Sequence, residues 1–158
     1  MATPASTRFL GTVADLGIDV HVQRFPEGTR TAADAAAAVG CHVAQIVKSM
    51  VFVARHGAVL ALTAGSNRVD PAGLAAHLGV DEVRRATPEE VRDATGFAIG
   101  GTPPFGHPRP LPTVIDPDLL AHETVWAAGG TPDTCFAVSP HTLVEITGAA
   151  VAADAFTS

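Results

Sequence analysis

Two apolar runs, residues 45–54 and 58–64, stand on either side of Arg55-His56-Gly57. Both are rich in Val, Ile and Leu, and a short polar break ending in glycine between such runs reads as a β-hairpin. Alternation along the first run puts Ile46, Lys48, Met50 and Phe52 on one face and Val47, Val51 and Val53 on the other. Neither face is an obvious solvent side. The rest of the chain therefore has to be read as what surrounds this hairpin. At 158 residues and 47% hydrophobic content it has the material for a core without metal or disulfide staples.

Short elements flank the hairpin. Residues 5–16 read as a helix ending near Gly17, and residues 21–25 as a strand stopped by Pro26. Thr31 starts an alanine-rich helix to Val39, with Asp34 at the reach-back position of a capping box and Gly40 as its stop. Asp70-Pro71, Thr87-Pro88 and Ser139-Pro140 each put a capping residue before a proline at the first helical position, where the missing N–H costs nothing. Glu90 completes a capping box with Thr87, and Gly79, Gly96 and Gly148 are the stops. Residues 114–115, 124–127 and 135–138 read as further strands. Short strands mixed irregularly with short helices predict an α+β fold. No internal repeat or long linker divides the chain, so the expectation is a single free-standing domain over residues 1–158, its core at about 5–153.

Several function classes lose support. No apolar stretch reaches the roughly 18 to 20 residues of a membrane span, and residues 1–10 lack the basic and apolar regions of a secretory signal. Cys41 and Cys135 are far apart and in no C-x-x-C arrangement, which predicts reduced thiols and a cytoplasmic location. The net charge is −6, and the only adjacent basic pair is Arg84-Arg85. Long duplex contact needs a basic stripe, which the chain lacks, so DNA is not expected as a partner. A nucleotide or strand end held in a pocket remains open. Metal chemistry is not expected either, because the seven histidines are at least fourteen positions apart. No phosphate loop, dinucleotide fingerprint or G-x-S-x-G elbow is present, so no cofactor is expected.

Two features carry chemistry. Lys48 is the one lysine in the chain and lies in an otherwise apolar strand. A desolvated ammonium there must face an anion or a ring of acceptors, unless the side chain snorkels out from an edge strand. The absence of other lysines favours function. The second feature is the segment Gly100-Gly101-Thr102-Pro103-Pro104-Phe105-Gly106-His107. Paired glycines let a ligand or another backbone approach closely and leave amides free to meet an oxygen, while the prolines stiffen the loop. The same string in isolation also reads as a rigid turn. Residues 129–133 are open in the same way, as turn or as pocket wall. His141, just inside a helix start, reads as a surface residue.

The order of the segments is more specific than any one of them. Gln45-Ile46-Val47-Lys48-Ser49 precedes the hairpin, followed by Asn67-Arg68-Val69-Asp70, Ala94-Thr95-Gly96-Phe97, the 100–107 segment, Leu111-Pro112-Thr113-Val114-Ile115-Asp116 and Ala128-Gly129-Gly130. This succession resembles the YbaK family, related to the editing insertion of bacterial prolyl-tRNA synthetases, over nearly the whole chain. The resemblance implies a curved mixed, mostly antiparallel sheet surrounded by short helices. It also implies hydrolysis of the ester joining a wrong, small amino acid (Ala, Ser, Cys or Thr) to the 3′ end of tRNA. The implied partners are the tRNA acceptor end and, for delivery, a synthetase or elongation factor. Lys48 stands at the family's functional lysine, and Gly100 to Pro104 match its G-x-x-x-P loop. Lys48, Gly100 and Gly101 are thus the implied catalytic positions. Ser49, Thr102, Pro103, Pro104, Phe105, Gly106, His107, Gly129 and Gly130 are the implied substrate contacts. His141 is given no role. A non-catalytic binding module on the same scaffold, and an amino-acid ester hydrolase that does not use tRNA, are the alternatives.

Overall fold

The computed structural model describes residues 4–18, 20–25 and 31–151. The expected strand stop at Pro26 and the last two residues of the expected core lie outside them. Helix α1 (Pro4–Asp15) and the two-residue strand β1 (Gln23–Arg24) precede α2 (Ala32–Val39). A single 3-10 turn (Val43–Gln45) leads into the hairpin β2 (Val47–Ala54) and β3 (Gly57–Ala64). Next come α3 (Pro71–Leu78), β4 (Val83–Arg85), α4 (Pro88–Thr95), β5 (Thr113–Ile115) and a second 3-10 turn (Pro117–Ala121). The described chain closes with β6 (Val125–Ala128), β7 (Thr134–Val138), α5 (Pro140–Thr147) and β8 (Ala150–Val151).

The expected mixed, mostly antiparallel sheet is present, but in two parts. One has five strands in the order β4-β2-β3-β5-β8, and the other three in the order β1-β7-β6. β3–β5 and β5–β8 are parallel and the other pairings antiparallel. An isolated parallel bridge between Ile46 and Trp126 joins the two sheets.

The hairpin differs from expectation at both ends. Its turn is Arg55-His56 alone, because Gly57 pairs with Ala54. Its first strand begins at Val47, not at residue 45, because Gln45 closes the 3-10 turn. The Gln45 side-chain carbonyl accepts from His42 N at 3.0 Å, and its amide donates to the Thr124 carbonyl at 3.1 Å. Strands β4 and β8 carried no sequence signal; three and two residues are too few for an alternation to show.

The helix boundaries follow the capping chemistry. Asp70, Thr87 and Ser139 each accept from a first-turn N–H, and Gly79, Gly96 and Gly148 end their helices in the left-handed conformation. At Thr87 the box is reciprocal: Glu90 N donates to Thr87 Oγ1 at 3.2 Å, and Thr87 N to Glu90 Oε1 at 2.9 Å.

Both hairpin faces are covered, as its apolar pattern requires. Val47, Val51, Leu60 and Leu62 pack with Phe9, Phe97, Phe105, Phe136 and Leu143 in the main core. Phe52, Ala54, Val59 and Ala61 form a second cluster with Leu74, Ala75 and Val83 beneath α3. Phe9, Phe105 and Phe136 meet with ring centroids 5.0 to 5.8 Å apart, tying α1 and the 105 loop to β7.

Candidate functional site: an open strand edge with one ammonium

β2 is paired to β3 over its whole length, but its opposite edge is paired to β4 only at residues 52–54. Ala86 N donates to the Val51 carbonyl at 3.0 Å, just beyond that short strand. At the other end the same edge meets β6 through the Ile46–Trp126 bridge. Between these ends, among the described residues, no strand pairs with residues 48–50 on this side. A cavity of about 830 Å³ lies along the gap. That volume is within the range of small-molecule sites.

Lys48, Ser49, Met50 and Phe52 line the cavity from β2. The Lys48 ammonium donates to the backbone carbonyl of Asn67. That carbonyl is held by a polar relay: Asn67 Nδ2 donates to Asp116 Oδ2 at 2.8 Å and to Asp118 Oδ2 at 2.7 Å. Asp116 is fully buried and also accepts from Ala64 N at 3.1 Å and Asp118 N at 3.0 Å. Burial pushes the Lys48 pKa below the ordinary lysine range; Arg68 and Arg85 push it the same way, and Asp116 opposes them. The Ser49 hydroxyl is buried and has no hydrogen-bond partner among the described residues.

The 98–104 loop forms the facing wall. Gly100 and Thr102 line the same cavity as Lys48, so the lysine and the diglycine bend share one space. Gly100 has a φ of 84°, where glycine is strongly favoured. Gly101 differs from expectation. Its N–H donates to the Ala98 carbonyl at 3.0 Å, closing the turn instead of meeting a ligand oxygen. A Cβ on Gly101 would stand 2.7 Å from the Thr131 backbone, so the close approach that this glycine permits is to another loop.

The remaining expected contacts divide. Pro103, Pro104 and Phe105 are buried away from the cavity, Phe105 within the aromatic core. Gly106 packs near Thr12 and Phe9. His107 donates a ring N–H to the Pro103 carbonyl at 2.8 Å and stands edge-on to Phe97, and burial lowers its pKa. It braces the loop from behind. Gly129 and Gly130 are buried too, and a Cβ on Gly129 would be 2.7 Å from a Val22 methyl; Ala128 and Pro132 are the lining residues from that turn. His141 is exposed and outside the cavity. Sequence reasoning had not assigned Arg68, Arg85 and Trp126, which line the cavity, or Asn67 and Asp116, which hold the lysine's acceptor. Asn67, Arg68 and Asp116 lie in quoted segments, but nothing in their spacing says that two distant turns meet at Lys48.

The α+β domain thus carries a groove that combines one ammonium with an apolar lining. The profile of the aminoacyl-tRNA editing domain family matches residues 26–146. The chain belongs to that family. It is similar to a crystal structure of a candidate trans-editing enzyme for prolyl tRNA synthetase, with 49% identity, a TM-score of 0.91, and coverage of 96% of this chain and 97% of that one. It is 40% identical over 79 residues to a proline–tRNA ligase from Thermotoga neapolitana, covering 50% of this chain but 14% of the ligase. It is also 30% identical over 125 residues to the uncharacterized protein YwhH of Bacillus subtilis, covering 78% of this chain and 79% of that protein. No helix among the described residues is long and apolar enough to cross a membrane.

Proposed function

We propose that this domain, acting free-standing, deacylates tRNA of the proline system that carries a small noncognate amino acid of the Ala, Ser, Cys or Thr class. The observation that carries the reading is that Lys48 and Gly100 line one cavity, large enough for a terminal adenosine with a small acyl group. The names of the relatives, a candidate trans-editing enzyme for prolyl tRNA synthetase and proline–tRNA ligases, support the choice of tRNA. The domain works in the cytoplasm, where tRNA is charged, with a synthetase or elongation factor as the delivering partner.

An aminoacyl ester is already activated, so the domain has to orient it, stabilise the carbonyl oxyanion and admit water. Water adds to the ester carbonyl, the tetrahedral intermediate collapses, and the ribose oxygen leaves with a proton, releasing amino acid and tRNA. Lys48 anchors the terminal nucleotide through its ammonium. Its hydrogen bond to the Asn67 carbonyl holds the side chain in place. With the Gly101 amide engaged in its turn, the amide of Gly100, an exposed residue that lines the cavity, is the loop's donor toward the substrate. Ser49 offers a hydroxyl, and Thr102 walls the acyl pocket. Discrimination is by size: one methylene in an apolar pocket is worth roughly 1–3 kcal/mol, so larger side chains are excluded more readily than small ones are told apart.

The test is a deacylation panel of tRNA charged with Ala, Ser, Cys, Thr and Pro, run beside free amino-acid esters. The expected result is turnover of at least one small mischarged tRNA, with prolyl-tRNA spared. Lys48→Ala should reduce that turnover about 100-fold or more while leaving the unfolding temperature near that of the parent. Binding without hydrolysis across the panel would favour a binding module. Equal turnover of free esters would remove tRNA from the reaction, and a Lys48→Ala rate within a few-fold of the parent would remove the lysine.

A further inference from the structure

The proposed function uses Lys48 and the diglycine wall but leaves the rest of the groove's charge unexplained. Arg68, in the turn after β3, and Arg85, at the end of β4, both line the groove and both are exposed. We infer that Arg68 and Arg85 form a phosphodiester-binding site for the single-stranded nucleic-acid segment that leads into the cavity. The inference rests on the reading of the ligand as a tRNA end, and adds to it which residues hold the strand before its last nucleotide.

Three observations carry it. First, of the described arginines whose side chains make no hydrogen bond or ion pair (Arg55, Arg68, Arg85, Arg92 and Arg109), Arg68 and Arg85 alone line this groove. Arg84 makes a two-pronged contact with Glu90 at 2.7 Å, Arg24 pairs with Asp133 at 2.9 Å, and Arg8 donates to the Gly96 carbonyl at 2.7 Å. The side chains of Arg68 and Arg85 make no hydrogen bond or ion pair among the described residues. Strand alternation explains the contrast within Arg84-Arg85, since neighbours in β4 face opposite ways.

Second, the clustering runs against the overall charge. In a chain of net charge −6, three cations from three elements converge on one groove, and both arginines act on the Lys48 ammonium. Like charges brought together cost the unliganded protein free energy, and an arriving anion relieves that cost. The guanidinium fork matches the paired oxygens of a phosphate.

Third, the groove pairs this charge with an aromatic surface. Trp126 lines the cavity near Ile46, whereas Arg85 pairs with Phe52. From residue 46 to residue 52 the strand rises roughly 20 Å, room for two or three nucleotides. Cations along a groove with a ring on which a base stacks are the physical signature of single-strand binding. Such a short footprint also reconciles an acidic chain with a nucleic-acid ligand.

The test measures binding of a fluorescein-labelled CpCpA trinucleotide to the full chain, the single variants Arg68→Gln and Arg85→Gln, and the double variant, at several salt concentrations. Each phosphate contact contributes about 0.7 to the slope of log affinity against log salt for a single strand. Each single variant should weaken the trinucleotide several-fold and lower the slope by about 0.7, and the double variant by about 1.4. Unfolding temperatures establish that the variants are folded. Parent-like affinities and slopes in the double variant would overturn the site. Competition by CMP as strong as that by unlabelled CpCpA would replace the strand with a free nucleotide and equally overturn it. The two readings fail separately. Loss of slope in the variants, with no ester hydrolysed by the parent, leaves the site standing without the deacylase; hydrolysis with unchanged slopes does the reverse.

Discussion

Lys48, as the one lysine in the chain, makes its electrostatics directly measurable. Protein grown with 13Cε-labelled lysine gives a single side-chain resonance, and its titration midpoint should fall below the ordinary lysine range, since burial and two arginines disfavour the charged form. Arg85→Gln should move the midpoint upward, because removing a neighbouring positive charge favours the ammonium. A midpoint indifferent to Arg85 would separate the two side chains. At this scale the sequence is legible where a residue is chemically conspicuous. A lone lysine among Val, Ile and Phe invites attention, and so does a diglycine. Asn67 and Asp116 do not, because a polar residue in a turn is ordinary until the fold brings Asp116 within 2.8 Å of Asn67 from 49 positions away. His107 shows the opposite error: it is conspicuous in the sequence, but its ring N–H is taken by Pro103 behind the loop.

Among elements, the loops that face the groove depend on close backbone approach. Gly101→Ala should cost about 1–3 kcal/mol in stability, since its Cβ would overlap the Thr131 backbone and force two loops apart. Gly11→Ala is the contrasting case. Gly11 is exposed within α1 with nothing within 4 Å of a built Cβ, so alanine there should stabilise by roughly 0.5–1 kcal/mol. Chemical denaturation of both variants checks the pair, and equal effects would contradict the packing described. Element boundaries read well where capping residues and glycines mark them, as at Thr87 and Gly96. They read poorly at β4, where pairing to β2 makes a strand of three residues with two exposed arginines. The same short strand leaves the rest of the β2 edge open, so the site's existence was the least legible part of the fold.

For the whole molecule, acid sensitivity follows from the brace behind the wall. Burial holds His107 below the ordinary imidazole range in the folded chain, outweighing its bond to Pro103. As pH falls through the ordinary histidine range the unfolded chain takes up this proton first, so stability declines with acidification. His107→Gln removes that proton uptake, and the parent should lose more unfolding temperature than the variant between about pH 7 and pH 5. A parallel decline would take His107 out of the acid response. The α+β class is legible in the irregular mix of short strands and short helices, and the two-faced cover of the hairpin in its apolar pattern. The two sheets meet at the bridge of Ile46 to Trp126, between segments 80 positions apart, which no local pattern encodes. The open run of β2 has one more consequence. On the side away from β3 its main chain has no strand partner at residues 48–50 among the described residues, and main-chain donors and acceptors are the same whichever amino acids stand there. Under the proposed function, point mutation can therefore reshape the surrounding walls, at Ile99 or Trp126, and retune which acyl group is admitted, while the main-chain edge stays constant.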